Sequence, residues 1–274
     1  MPMFVATLFF LARLTYAANA ECDEESLLQV KSEKVVVVSG CMSESNNSIT
    51  EDMCTLAKQN FQEYTDYHGY KLVFFTQTPP GAEDRPPHWS KVLALLNVLE
   101  YEPEVDYVFW TDSDSLFVNQ TISLMNYAPR GSSSMTFSGD YLCYFNSGHM
   151  LFKNDQWTRQ FLKEVWDTYP SPYPWQDQSA MIYVMHKFSA SKAAKKKAET
   201  CRDHLPDLAG DPEGCCNPKL VTGVDMRPKD ELNALNYYKD GVPKTGLFIV
   251  HFAGRDAAYK TKTMRDTMQL VYHG

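Results

Sequence analysis

The chain predicts an α/β fold around a mostly parallel central sheet, and three observations carry that prediction. Runs at "KVVVVSG" (34–40), "YKLVFFTQT" (70–78) and "YVFWTD" (107–112) are short and apolar or β-branched nearly throughout, as strands covered on both faces are. Two stretches with apolar residues at helical spacing separate them. Polar and acidic residues gather where the third run ends, and in doubly wound sheets ligands lie at the carboxyl ends of strands.

Taken in order, the first run reads as a strand closed by Ser39-Gly40. From Thr50 to His68, Met53, Leu56, Ala57, Phe61 and Tyr64 recur at helical spacing behind Thr50, a residue suited to an N-cap. The second strand is followed by the proline-broken loop "PPGAEDRPP" and a helix in "HWSKVLALLNVLEYEP", with Val92, Leu95, Leu96 and Leu99 on one face. Strand, helix, strand, helix, strand is half of a doubly wound domain. Beyond it come a strand candidate "SSMTFSGDY", a helix over about 154–169, a helix in "DQSAMIYVMHKF", and an excursion over 189–218 that opens with the basic "SASKAAKKKAET". A final strand in "TGLFIVHFAG" is expected to close the core ahead of a C-terminal tail.

With 274 residues, 44% hydrophobic and 13% aromatic, the chain can bury a sizeable core. A formal net charge of −8 excludes a general nucleic-acid binder, which needs a basic face to neutralise phosphates. An anionic ligand must therefore be held locally, by a metal or a few placed cations. Residues 1–20 read as a signal peptide or short anchor: an apolar stretch from Phe4 to Ala12 leads to Ala18-Asn19-Ala20. Seven cysteines without a C-x-x-C pair fit an oxidising lumen, where some would pair and an odd one is left over. The glycosylation triplets at Asn46 and Asn119 fit the same compartment.

Asp112 and Asp114, two residues apart, would face one ligand together if the strand persisted that far. Two carboxylates without thiolates make a hard oxygen site suited to Mg²⁺ or Mn²⁺ beside phosphates. The bland alternative is a solvent-exposed turn, which Asp and Ser also favour.

Four blocks place this pair in a wider pattern: "HWSKVLALLNVL", "YVFWTDSDSLFVN", "FNSGHMLFKNDQWTRQFLKEVW" with "DQSAMIYVM" downstream, and "RPKDELNALNYY" leading to "GLFIVHFAG". In this order they resemble the GT-A glycosyltransferase family of fungal α-galactosyltransferases and α-mannosyltransferases and plant xyloglucan α-xylosyltransferases. The resemblance spans most of the chain from Lys34 to Gly254. It implies a GT-A-like single domain over 34–274, with a Rossmann-like nucleotide-sugar-binding half. The implied activity is metal-dependent, retaining transfer of galactose, mannose or xylose from a UDP- or GDP-sugar to an oligosaccharide or glycan acceptor. It also implies a place in the secretory pathway, in or at the membrane of the Golgi lumen, or secretion.

Residue by residue, the resemblance makes Asp112, Asp114 and His251 the ligands of Mn²⁺ (or Mg²⁺), with Asp112 also toward the donor. It puts Lys91 near the diphosphate and Asn146 and Gly148 of "NSG" at the substrate. Asp177 and Gln178 fall at the family's place for polar groups beside the anomeric centre. On chemistry alone, His251 is a core imidazole, Lys91 an exposed helix lysine, "NSG" a turn and Asp177 an N-cap. The family reads Gly-Cys and then Lys after His-Phe-x; here Gly254 is followed by Arg255 and Asp256, which makes Arg255 the candidate phosphate cation. Only "LCYF" separates "SGDY" from "NSG", where the plant xylosyltransferases carry a longer acceptor-side segment.

Two other classes compete. A non-catalytic, lectin-like relative would stack sugars on its aromatic residues without needing a metal set. A phosphatase of the haloacid dehalogenase type also places Asp-x-Asp after a strand, but on the first strand rather than the third.

Overall fold

A computed structural model describes residues 33–41, 50–140, 143–170, 175–203, 214–216, 221–234, 238–239, 242–243 and 246–273. The leader read over 1–20, Cys22 and the Asn46 triplet lie outside the described residues.

The four valines of β1 (Val35–Gly40) show why this sequence nucleates a sheet. Val36 and Val38 enter one apolar cluster, Val35 and Val37 another, and all four are buried. Alternate side chains of one strand thus fill two cores, each fully buried valine contributing roughly 1.5–3 kcal/mol. β1 pairs in parallel with β2 (Lys71–Phe75) on one side and β3 (Tyr107–Thr111) on the other. Beyond β3 follow β6 (His149–Lys153), β5 (Met135–Ser138) and β7 (Val224–Arg227), giving the order β2-β1-β3-β6-β5-β7. β6 is antiparallel to both neighbours while β5 and β7 are parallel, so five strands share one direction. The mostly parallel α/β sheet expected from the sequence is present.

The face bearing Val36, Val38, Val108 and Trp110 carries the apolar sides of α2 (Ser90–Tyr101), α3 (Gln156–Asp167) and α4 (Gln176–Phe188). α1 (Glu51–His68), β4 (Ser115–Phe117), β10 (Ile249–His251) and α7 (Ala257–His273) supply the cluster on the opposite face. Thr50 caps α1 as expected, its hydroxyl accepting from Met53 N at 3.2 Å, and Gly69 ends the helix at φ +68°. The excursion over 189–218 includes α5 (Lys192–Asp203), whose Ala194, Ala198 and Cys201 are buried. A short helix α6 (Lys229–Leu232) follows β7, and β8 (Tyr238–Lys239) pairs with β9 (Val242–Pro243).

Disulfides join Cys41 to Cys54, Cys143 to Cys216 and Cys201 to Cys215. The first ties the carboxyl end of β1 to α1, and the other two tie the excursion to the loop before β6 and to itself. Asn119 lies partly exposed after β4, its side chain accepting from Thr121 Oγ1 at 2.7 Å. Among the described residues no helix is long and apolar enough to cross a membrane.

The strand in "TGLFIVHFAG" lies in the core as expected, β10 pairing antiparallel with β4 in a two-stranded sheet apart from the central one. One expectation needs correction. The segment read as a tail is the helix α7, packed beside α1 through Thr50 and Thr261 (2.9 Å) and through Asp52 and Arg265 (3.0 Å).

Candidate metal centre

β3 ends at Thr111, so Asp112 and Asp114 do not project from a strand as the spacing suggested. They stand in the turn between β3 and β4, and the turn brings them together by another route. Asp112 N donates to Gly148 O at 2.9 Å, which fixes the turn to the start of β6. β4 then leaves the central sheet and pairs with β10 in a register that sets Ser115 opposite His251. Phe252 N also donates to Asp114 O at 2.8 Å. The small sheet thus delivers an imidazole to the aspartates from more than a hundred residues away.

Asp112, Asp114 and His251 each offer one ligand atom, all within 4.8 Å of one another. His251 Nε2 lies 3.1 Å from Asp114 Oδ1 and 3.8 Å from Asp112 Oδ2. His251 Nδ1 donates to Asn233 Oδ1 at 2.7 Å, so the ring is oriented with Nε2 toward the aspartates. Burial pulls the His251 pKa down, but the charges of Asp114 and then Asp112 more than reverse it, and the net direction is up. Burial likewise pushes Asp114 up, yet His251 and Lys260 outweigh it and hold this carboxyl well below the usual range.

Two buried lysines take the remaining oxygens. Lys91 Nζ, at the start of α2, contacts Asp112 Oδ1 at 3.1 Å and Asp177 Oδ2 at 3.3 Å. It also donates to Ser147 O and Oγ, both at 3.2 Å, and Trp110 Nε1 donates to Asp112 Oδ1 at 2.6 Å. Burial alone would lower the Lys91 pKa; Asp112 and Asp177 raise it above its ordinary value, so the ammonium stays charged. Lys260 Nζ, from α7, donates to Asp114 Oδ2 at 2.7 Å. Each aspartate therefore gives one oxygen to a lysine and turns the other toward His251.

Asp177 is not the N-cap that its sequence position suggests. Trp175 holds that place and Asp177 lies inside the first turn of α4, where a carboxylate is favoured by the helix dipole. Its Oδ2 accepts from Ser147 Oγ at 3.0 Å, while Gln178 Oε1 accepts from Ser147 N at 3.0 Å. Gln176, just ahead, has φ +49°, a left-handed conformation in which a glutamine is strained. Gly148 is required by space: a Cβ there would stand 2.5 Å from His251 Cε1. Asn146 spends its amide on its own turn, Oδ1 accepting from Gly148 N at 2.8 Å and Nδ2 donating to Asp140 Oδ2 at 3.0 Å.

The structure thus brings together Lys91, Asp112, Asp114, Asn146, Gly148, Asp177, Gln178 and His251. It leaves out two expected residues. Arg255 is exposed, with its guanidinium carbon 5.4 Å from the Tyr259 ring centroid, and Gly254 serves an exposed turn at φ +71° between β10 and α7. The cation against Asp114 is Lys260. Sequence reading also missed Trp110, Ser147 and Asn233, although all three lie inside the quoted blocks. Lys260 carried a signal too, since Lys260, Met264 and Met268 recur at helical spacing and are all buried. A groove of about 590 Å³ between β2 and α2 shares no lining residue with this cluster.

The donor set, two carboxylate oxygens and one oriented imidazole nitrogen, fits a divalent ion such as Mn²⁺ or Mg²⁺.

Residues 31–129 match the model of the galactosyl transferase GMA12/MNN10 family. This is the family that the four blocks resemble. An uncharacterized alpha-1,2-galactosyltransferase of Schizosaccharomyces pombe is 28% identical over 98 residues, 34% of this chain and 26% of that protein. A probable xyloglucan 6-xylosyltransferase of Oryza sativa is 24% identical over 183 residues, 57% of this chain and 40% of that protein. The chain thus spans less than half the length of the curated relatives it matches. The crystal structure of a glycosyltransferase involved in glycosylating the major capsid of PBCV-1 superposes with a TM-score of 0.56 at 15% identity, covering 85% of this chain and 99% of that one. The fold is that of this glycosyltransferase structure, and the family match with the relatives' names supports a glycosyltransferase.

Proposed function

We propose that this protein is a metal-dependent, retaining α-glycosyltransferase that moves a hexose or pentose from a UDP- or GDP-sugar to a glycan acceptor in the lumen of the secretory pathway. The observation that carries the reading is the convergence of Asp112 Oδ2, Asp114 Oδ1 and His251 Nε2, whose remaining polar atoms are held by Trp110, Lys91, Lys260 and Asn233. Asp112, Asp114 and His251 would hold Mn²⁺ or Mg²⁺, which when bound supplies Lewis-acid stabilisation of the leaving diphosphate.

The chain's own residues account for the rest. Lys91, buried and charged, fixes Asp112 and Asp177 at once and so ties the metal side of the site to the sugar side. Asp177, held by Lys91 and Ser147, stands as a preorganised negative charge able to steady an oxocarbenium-like centre. Gln178, anchored to Ser147 N, backs it with a dipole. The acceptor hydroxyl would attack on the face from which the diphosphate leaves, which preserves configuration and needs no covalent enzyme intermediate. Three disulfides support an oxidising compartment.

Release of nucleoside diphosphate from a panel of UDP- and GDP-sugars, with Mn²⁺ and with chelator, tests the proposal. Chelator-sensitive turnover of one donor is the expected result. Turnover of none, with no stabilisation by Mn²⁺ and UDP or GDP, would contradict it. A non-catalytic carbohydrate binder would bind glycan while ignoring both nucleotide and metal.

A further inference from the structure

Lys260 has no place in the reading of the sequence, yet it lies against a carboxylate that the metal would use. Its side chain is 11% exposed, its Nζ lies 2.7 Å from Asp114 Oδ2, and its helix is anchored by Met264, Thr267 and Met268 in the core. Three carboxylates here (Asp112, Asp114, Asp177) are met by two lysine ammoniums, Lys91 and Lys260. Lys260 cancels part of the negative charge that would otherwise draw in a free divalent ion. A divalent ion held by Asp114 would stand close to the Lys260 ammonium, a repulsion magnified by burial. A diphosphate beside the ion reverses the balance, because its negative charge attracts the metal and the ammonium alike.

Resting on the glycosyltransferase reading, we infer that Lys260 couples metal binding to nucleotide binding: it weakens capture of the free ion and favours the ion that arrives with a diphosphate. It acts by the charge it sets beside Asp114 from α7. Arg255, exposed against Tyr259, is not arranged for this task.

The test measures Mn²⁺ affinity by titration calorimetry or electron paramagnetic resonance, with and without UDP or GDP, for the wild-type chain, Lys260→Met and Lys260→Arg. Wild type binds Mn²⁺ weakly alone and more tightly with one of the nucleotides. Lys260→Met binds Mn²⁺ alone about tenfold tighter or more and loses most of the gain that the nucleotide brings. Lys260→Arg, which keeps the charge, retains the wild-type coupling. If Lys260→Met does not fold, Lys260→Gln, which keeps a hydrogen-bonding group near Asp114 without the charge, carries the same expectation. Unchanged or weaker binding of free Mn²⁺ in the uncharged variant overturns the inference, since a lysine that only held Asp114 in place would weaken the site when lost. If the wild-type chain binds neither Mn²⁺ nor either nucleotide, the glycosyltransferase reading itself fails and this inference fails with it.

Discussion

Asp114 stands between a lysine and a histidine: Lys260 Nζ takes its Oδ2 at 2.7 Å, and His251 Nε2 faces its Oδ1 at 3.1 Å. The carboxylate is therefore both a structural counter-ion and the ligand that the metal would claim.

Asp114→Ala has two expected effects. It leaves a buried lysine and a buried imidazole without their partner, which costs about 3–5 kcal/mol and lowers the urea midpoint. It also removes a ligand, so added Mn²⁺ no longer raises the melting temperature. Unchanged thermal melts, with and without Mn²⁺, would show that Asp114 plays neither part.

Gly148→Ala tests the packing of the His251 ring. A Cβ 2.5 Å from His251 Cε1 forces the imidazole or the Asn146 turn to move, and the Asn233 bond that orients His251 is lost or bent. Mn²⁺ affinity, read by calorimetry, is expected to fall about tenfold or more.

Asp177→Asn keeps an oxygen for Ser147 and leaves Lys91 paired with Asp112, so the site stays assembled. Affinity for Mn²⁺ with UDP or GDP is expected to change by less than about threefold, while kcat for transfer falls about a hundredfold or more. Full transfer activity would make Asp177 a structural partner of Lys91 and nothing else.

Gln176→Gly relieves a left-handed residue at φ +49°. Its side chain contributes only a long contact to Trp89 Nε1, at 3.4 Å, so the variant is expected to be about 1 kcal/mol more stable in urea unfolding. A loss of activity without a loss of stability would mean that the strain serves to aim Asp177.

Much of this architecture was legible because its signals are local. Val35–Val38 announce a doubly covered strand by composition alone, and Thr50 with the Met53–Tyr64 stripe announces α1. The aspartates were legible as a pair, but the geometric reason drawn from strand alternation was wrong: β3 stops at Thr111 and a turn does the converging. β6 was hidden because "HMLFK" follows "NSG" too closely to stand out as a separate strand. The burial of β10 was legible from its apolar composition, but its pairing with β4 was not, because composition does not report which strand is the partner. Lys260 went unread because α7 was taken for a tail, and only a helix turn shows that this cation points inward. Ser147 sat unremarked between Asn146 and Gly148, although its hydroxyl and backbone join Lys91, Asp177 and Gln178.

The most direct test of the central claim is anomalous diffraction at a manganese-sensitive wavelength, from crystals of this protein grown with Mn²⁺ and UDP or GDP. The account predicts one Mn²⁺ peak bounded by Asp112 Oδ2, Asp114 Oδ1 and His251 Nε2, with the diphosphate on its open side. A peak elsewhere, or a bound nucleotide with no metal among these three residues, would contradict it.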